Sequence, residues 1–271
     1  MVYTLLAFHV AALLSAGQGL PAAKPITVSA AVSLTDALTA VAEEYGRGGR
    51  GAVRFNFGAS NVLARQIVNG APVDLFVSAD EAQMDLVAAA GLLKDGSRVD
   101  VLCNQLAIAV PSDRPRTFRS VSELTDPAFK RIAIGDPAAV PAGVYARQYL
   151  EKEGLWDKVQ SRIVPTGSVR AALAAVESGA ADAAIVYRTD TRVALGATVA
   201  WVVPADRGPR IVYPAAIVRT SAASEEAKRF LDYLRGEPAA RIFQRFGFTV
   251  APASSPTPRV ALRRGKPRQA D

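Results

Sequence analysis

"VRFNFGASNVLARQIV", residues 53–68, holds a strand and a helix with almost nothing between them. Val53, Phe55 and Phe57 alternate with Arg54 and Asn56, the period-two pattern of a half-buried strand. From about residue 61 to 69 the apolar residues recur at helical spacing. Gly58, Ala59 and Ser60 make the turn, all small and uncharged, so the helix begins bare with its first amides left open.

The same passage recurs along the chain. "SAAVSLTDAL" (29–38) runs from a strand through Ala31-Val32-Ser33 into a helix. "GDPAAVPAGVYARQYL" (135–150) has Pro141-Ala142-Gly143 at a helix start, and "PTGSVRAALAAV" (165–176) has Thr166-Gly167-Ser168-Val169 at another. Working outward, strand patterns fall at 26–31, 53–57, 74–79, 101–111, 131–136, 162–165, 182–187, 197–204 and 210–219. Helical patterns fall at 34–47, 61–69, 81–93, 142–154, 169–178, 223–235 and 238–246, with Asp80 placed to cap the third and Gly91 near its end. Repeated strand–helix units predict an α/β fold with largely parallel sheets. No fixed-period repeat is present.

Each bare start carries unpaired N–H groups and about half a positive charge. Small residues let a ligand reach the backbone, and Ser or Thr hydroxyls add donors. Several starts converging on one cleft bind an anion without a fixed cation. In open α/β sheets such turns lie where ligands sit, beyond the carboxyl ends of the strands. A plain structural reading stands beside this one, because a Ser or Thr cap is worth about 0.5–2 kcal/mol in any helix. One such turn says little. Four make an anion site a real alternative, and they do not name the anion.

Composition removes other classes. The 271 residues suit one large domain or two small ones, and half of them are apolar. Cys103 is the only cysteine and His9 the only histidine, and His9 lies in an N-terminal apolar run. That run, "TLLAFHVAALLSA" (4–16), is too short to span a bilayer and is followed by small residues, Pro21 and Lys24. It reads as a secretory leader over 1–24, although no Lys or Arg precedes it. Without it no histidine remains, so Ser-His-Asp and Cys-His catalysis and a His/Cys zinc site are excluded. A leader and a single cysteine suit the bacterial periplasm. Of the net charge of +7, four units lie in "APASSPTPRVALRRGKPRQAD" (251–271). This segment has no apolar periodicity and is expected to be a disordered basic tail over 253–271, rather than a nucleic-acid surface.

Longer stretches carry a resemblance. "AAVSLTDAL", "FNFGASNVLARQIVNGAPVDLFVSAD", "GDPAAVPAGVYARQYLEKEGLWDKV", "VRAALAAVESGAADAAIVYRTD", "IVYPAAIV" and "FLDYLRGEPAARIFQRFGF" resemble the periplasmic molybdate-binding proteins of ABC importers, in order and spacing, from about Ile26 to Phe248. The resemblance implies a two-lobed type II periplasmic binding fold, each lobe a mostly parallel sheet flanked by helices. "NQLAIAVP" is then the first crossing and "RIVYPAAIV" the return, giving a first lobe of 25–108 plus 210–252 and a second of 109–209. It implies an oxyanion, molybdate and also tungstate, held through its oxygens by neutral donors with no protein ligand to the metal. Carried over, those donors are the hydroxyls and amides of Ser33 and Ser60, the amides of Ala142 and Val169, and the phenol of Tyr187. Asn61 departs from the small residue common there and is an additional candidate. The implied partner is a membrane ABC permease, with no cofactor, no nucleic acid, no catalysis and a monomeric chain.

Other residues have plainer readings. Tyr187, taken alone, reads as strand-end packing. Arg65 and Arg170 read as surface or ion-pair residues, since Arg170 turns about 100° from Val169 around its helix. Asp74, Asp80 and Asp136 look like a carboxylate group, but Asp80 and Asp136 sit where caps and turns want Asp; Cys103 reads as core. Two alternatives stay open: a binder of another dianion such as sulfate, and an exported enzyme acting on an oxyanion.

Overall fold

The computed structural model describes residues 24–252. The leader expected at 1–24, apart from Lys24, and the tail expected at 253–271 lie outside the described residues.

The chain begins β1 (Ile26–Ala31), a 3-10 turn (Val32–Leu34), α1 (Thr35–Arg47), β2 (Val53–Gly58), α2 (Ser60–Val68), β3 (Leu75–Val77) and α3 (Glu81–Ala89). Then come β4 (Val99–Asn104), β5 (Leu106–Pro111), β6 (Ile132–Gly135), α4 (Pro141–Lys152), the short α5 (Trp156–Val159), β7 (Ile163–Thr166), α6 (Val169–Glu177), β8 (Ala183–Tyr187) and β9 (Ala197–Val202). It ends with β10 (Ile211–Ile217), α7 (Ser224–Leu234), α8 (Glu237–Arg245) and β11 (Thr249–Val250).

These strands form two sheets, ordered β11-β4-β10-β3-β1-β2 and β7-β6-β8-β5-β9. Both are mixed, which corrects the expectation of mostly parallel sheets. β1 pairs parallel with β2 and β3, and β6 parallel with β7 and β8, because an α-helix connects them. The strands around the crossings, β4, β5, β9 and β10, pair antiparallel because the chain passes straight from one sheet to the other and back.

The run 101–111, expected as one strand, is two. β4 joins the first sheet, β5 joins the second, and the change falls at Gln105. Asn104 Oδ1 accepts the Gln105 amide at 2.9 Å, and the Gln105 carbonyl accepts the Arg188 amide at 2.8 Å, so the break leaves no backbone group stranded. Leu106, Ala107 and Ile108 therefore pair within the second sheet, three residues before the expected boundary at 108/109. The return falls between Val202 and Ile211. We call residues 24–105 with 210–252 the first half and 106–209 the second. The third helix stops at Ala89, short of the expected 93, because Gly91 turns left-handed with φ 72°.

The strands that run through the middle, β5, β8 and β10, are buried along their whole length, while edge strand β2 alternates. β10 lies between β3 and β4 yet contains Pro214, which has no N–H to donate. The register shifts between Tyr213 and Pro214 in response. Cys103, expected in the core, is half-buried beside the crossing.

Candidate functional site

The bare starts converge. Residues 31–33 at the end of β1, 58–60 at the end of β2, Ala79 after β3, 140–142 at the start of α4, Val169 at the start of α6 and Tyr187 at the end of β8 line one cavity. It lies between the halves. Ser33, Ser60, Ala142, Val169 and Tyr187, expected from distant parts of the sequence, all line it, and each is at most 3 % exposed. The room inside is about 10 Å³ for the centre of a water-sized sphere, so its occupant is small. Asn61 is buried next to Ser60 but does not line the cavity.

The local sequence explains how the starts come so close. α2 has Ala59 at its N-cap and no side chain capping it. Its first internal bond runs from the Val62 amide to the Ala59 carbonyl at 2.9 Å, after the amides of Ser60 and Asn61. α4 has Val140 at its N-cap, again without a side-chain cap, and Pro141 in its first turn. Gly143 lets that turn rest on the end of β6, since a Cβ there would lie 1.9 Å from the Gly135 carbonyl oxygen. α6 differs, because the Ser168 side chain caps it by accepting the Ala171 amide at 3.1 Å, leaving the Val169 end toward the cavity.

The hydroxyls in the first half are held in an oriented state. Ser60 Oγ accepts the Ala79 amide at 2.9 Å, which leaves its own proton to donate. Asn104 Nδ2 donates to Tyr213 Oη at 3.2 Å, and Tyr213 Oη lies 3.1 Å from Ser33 Oγ. Either hydroxyl of this pair can be the donor; with Tyr213 donating, the Ser33 proton is left to donate onward. Burial pushes the Tyr213 phenol well above its ordinary value, so it keeps the proton this chain of donors needs. Sequence reasoning missed Asn104 and Tyr213. Their one signal was the polar Asn104-Gln105 pair interrupting an apolar run.

Tyr187 brings a side-chain hydroxyl to the lining from the second half. Its Oη is buried and has no hydrogen-bond partner among the described residues. A buried hydroxyl without a partner costs about 1–3 kcal/mol, so this one fits an acceptor in the cavity it lines. Burial raises its pKa far above the ordinary phenol value, which keeps it a neutral donor.

No fixed positive charge enters the cavity lining. Arg170, one residue past Val169, is fully engaged: Nε donates to Asp190 Oδ1 and Nη2 to Asp36 Oδ2, each at 2.7 Å. Burial works against its charge, but the two carboxylates outweigh that and hold it protonated. Asp190 is fully buried, which pushes its carboxyl up to about 7. Arg170 and the Tyr187 amide, donating to Asp190 Oδ2 at 3.2 Å, pull the other way. Arg65 turns back onto the Asn61 carbonyl, 3.1 Å from its Nε.

The carboxylates considered as a group do not meet in the site. Asp74 accepts the Thr27 amide at 2.8 Å and the Ser221 hydroxyl at 2.6 Å, Asp80 caps α3, and Asp136 accepts the Ala138 amide at 2.9 Å within its own turn.

Comparison with known proteins places the chain. Residues 26–249 match the family model described as bacterial extracellular solute-binding protein. The chain is 37 % identical over 239 residues to the molybdate-binding protein ModA of Escherichia coli K12, covering 87 % of this chain and 93 % of that one. It is 36 % identical over 247 residues to ModA of Haemophilus influenzae, covering 88 % and 96 %. Among solved structures, the periplasmic molybdate-binding protein of Azotobacter vinelandii superposes with a TM-score of 0.77 at 28 % identity, over 84 % of this chain and all of that one. The chain therefore belongs to the bacterial extracellular solute-binding proteins, within their ModA branch, and it is a binder rather than an enzyme.

Proposed function

We propose that this protein captures molybdate, and tungstate with it, in the periplasm and delivers the ion to a membrane ABC permease. The ion is cargo, held through its oxygens, and no cofactor takes part. The protein acts as a monomer whose first half (24–105 with 210–252) and second half (106–209) close on the ion as lobes. Ser33 and Ser60 donate through hydroxyl and amide, Ala142 and Val169 through the amide, and Tyr187 through its phenol. The observation that carries this reading is the cavity itself, lined from both halves by neutral donors, with an unpartnered Tyr187 hydroxyl and no free cation. Its relatives named for molybdate support the choice of ion.

The physics favours a fully deprotonated dianion. Helix-start amides offer only hydrogens and no carboxylate lines the cavity, so a ligand that retains a proton finds only hydroxyl oxygens, weak acceptors, for its O–H. Among dianions the choice between molybdate and the smaller sulfate is one of size, and the relatives named for molybdate favour the larger ion. A ligand that binds only the folded state adds about 4 kcal/mol of stability at a thousandfold excess over Kd. Molybdate and tungstate are thus expected to raise the melting temperature by several degrees, and sulfate at equal concentration much less. A shift with sulfate alone moves the assignment to another dianion, and no shift with any tetrahedral oxyanion removes the binding reading.

A further inference from the structure

Ser33 and Ser60 on one side of the cavity and Ala142, Val169 and Tyr187 on the other are each at most 3 % exposed, so an ion seats among them when the halves part. Any bond that spans the halves at its rim therefore exists in the closed arrangement and is broken on opening. Among the ion pairs of the described residues, Arg170 with Asp36 is the one that joins the two halves. The others, Arg170–Asp190 included, form within one half. Its position is specific. Asp36 stands in the first turn of α1, three residues past Ser33, and Arg170 in the first turn of α6, next to Val169. The pair thus links two of the helix starts that line the cavity. Arg170 is aimed before closure, because Asp190, buried in its own half, already holds Nε at 2.7 Å and leaves Nη2 to meet Asp36. A pre-oriented guanidinium loses less side-chain freedom on pairing than a free one.

We propose that Arg170 and Asp36 form a clasp that holds the two halves closed over the bound oxyanion and slows its release. Both are positioning residues, and neither touches the ion. This inference rests on the oxyanion-binding reading above.

Simple electrostatics and the clasp call for opposite results from Asp36→Asn. Removing a carboxylate near a dianion, and freeing one side of Arg170, tightens binding if only charge matters. If the clasp matters, the closed state is weakened and binding loosens. The variant leaves Arg170 paired with Asp190, so no buried charge is stranded. Asp36→Asn, Asp36→Glu and the parent are compared by calorimetric titration with molybdate and by melting without ligand. The expected result is a Kd roughly two- to fivefold weaker for Asp36→Asn, the range of a partly exposed ion pair. Asp36→Glu, which keeps the charge, is expected to bind close to the parent. Ligand-free Asp36→Asn is expected to melt within about 3 °C of the parent, the reach of one charge at a helix start. Binding by Asp36→Asn as tight as the parent, or tighter, overturns the clasp. A parent that binds no molybdate, tungstate or sulfate overturns the oxyanion reading instead.

Discussion

α2 and α3 begin in the same layer of the first half, each just after a parallel strand, and they begin in opposite ways. α3 is closed by its own sequence: Asp80 accepts the Gln83 amide at 3.0 Å, and its carboxylate sits at the positive end of the helix. α2 has Ala59 in the same place, no side-chain cap and no acidic residue in its first turn. Ser60 joins the two starts, because its hydroxyl accepts the amide of Ala79, the residue before Asp80. The capped start of α3 serves the fold. The α2 start beside it is left uncapped, buried and turned to the cavity, as the proposed binding of an anion requires. That difference accounts for the bare turn at residues 58–60.

Converting one start into the other is the severest way to break the comparison. Ser60→Asp gives α2 a carboxylate like that of α3, inside the cavity. At about 4 Å and an effective dielectric near 20, each unit of ligand charge then meets about 4 kcal/mol of repulsion. The variant is expected to fold, since a carboxylate is welcome at a helix start and still accepts the Ala79 amide, and to show no measurable molybdate binding. Binding within tenfold of the parent would take Ser60 out of the site.

Tyr187→Phe sharpens the comparison from the other half. A hydrogen bond to a charged group is worth about 1.5–3 kcal/mol, so molybdate affinity is expected to fall roughly ten- to a hundredfold. Ligand-free stability is expected to hold or rise, because the hydroxyl removed has no partner among the described residues. A loss of stability with affinity unchanged would return Tyr187 to strand-end packing.

Asp80→Ala opens the capped start and carries the smallest effect. The lost cap costs about 1 kcal/mol, a few degrees of melting temperature. Molybdate affinity is expected not to fall, since a carboxylate leaves the neighbourhood of the site and no donor does. Lost affinity here would mean that the α3 start also holds the ion.

How far the sequence carried these conclusions depends on the distance between partners. Strands followed by helices were legible because period-two and helical spacing are local, and the small residues at 31–33, 58–60 and 141–143 stood out against them. That the starts share a cavity was not local information, and it came from the resemblance to a known family. The break at Asn104–Gln105 was misread because apolar residues on both sides continue one strand pattern, while the two strands find different sheets. The antiparallel crossings were hidden for the same reason. The donor chain from Asn104 through Tyr213 to Ser33 joins residues 109 and 180 positions apart, and no sequence window contains it. Arg170 was read as an ion-pair residue, but that its partners come from both halves needed the folded chain.

The central claim is that a cavity rich in neutral donors, lined by no carboxylate and no cation, prefers a fully deprotonated dianion. Calorimetric titration of one preparation with molybdate, sulfate and phosphate near neutral pH tests it most directly. The expected order is molybdate tightest, sulfate much weaker and phosphate weakest, because phosphate keeps a proton for which the cavity offers no carboxylate. Phosphate binding as tightly as molybdate would contradict the claim.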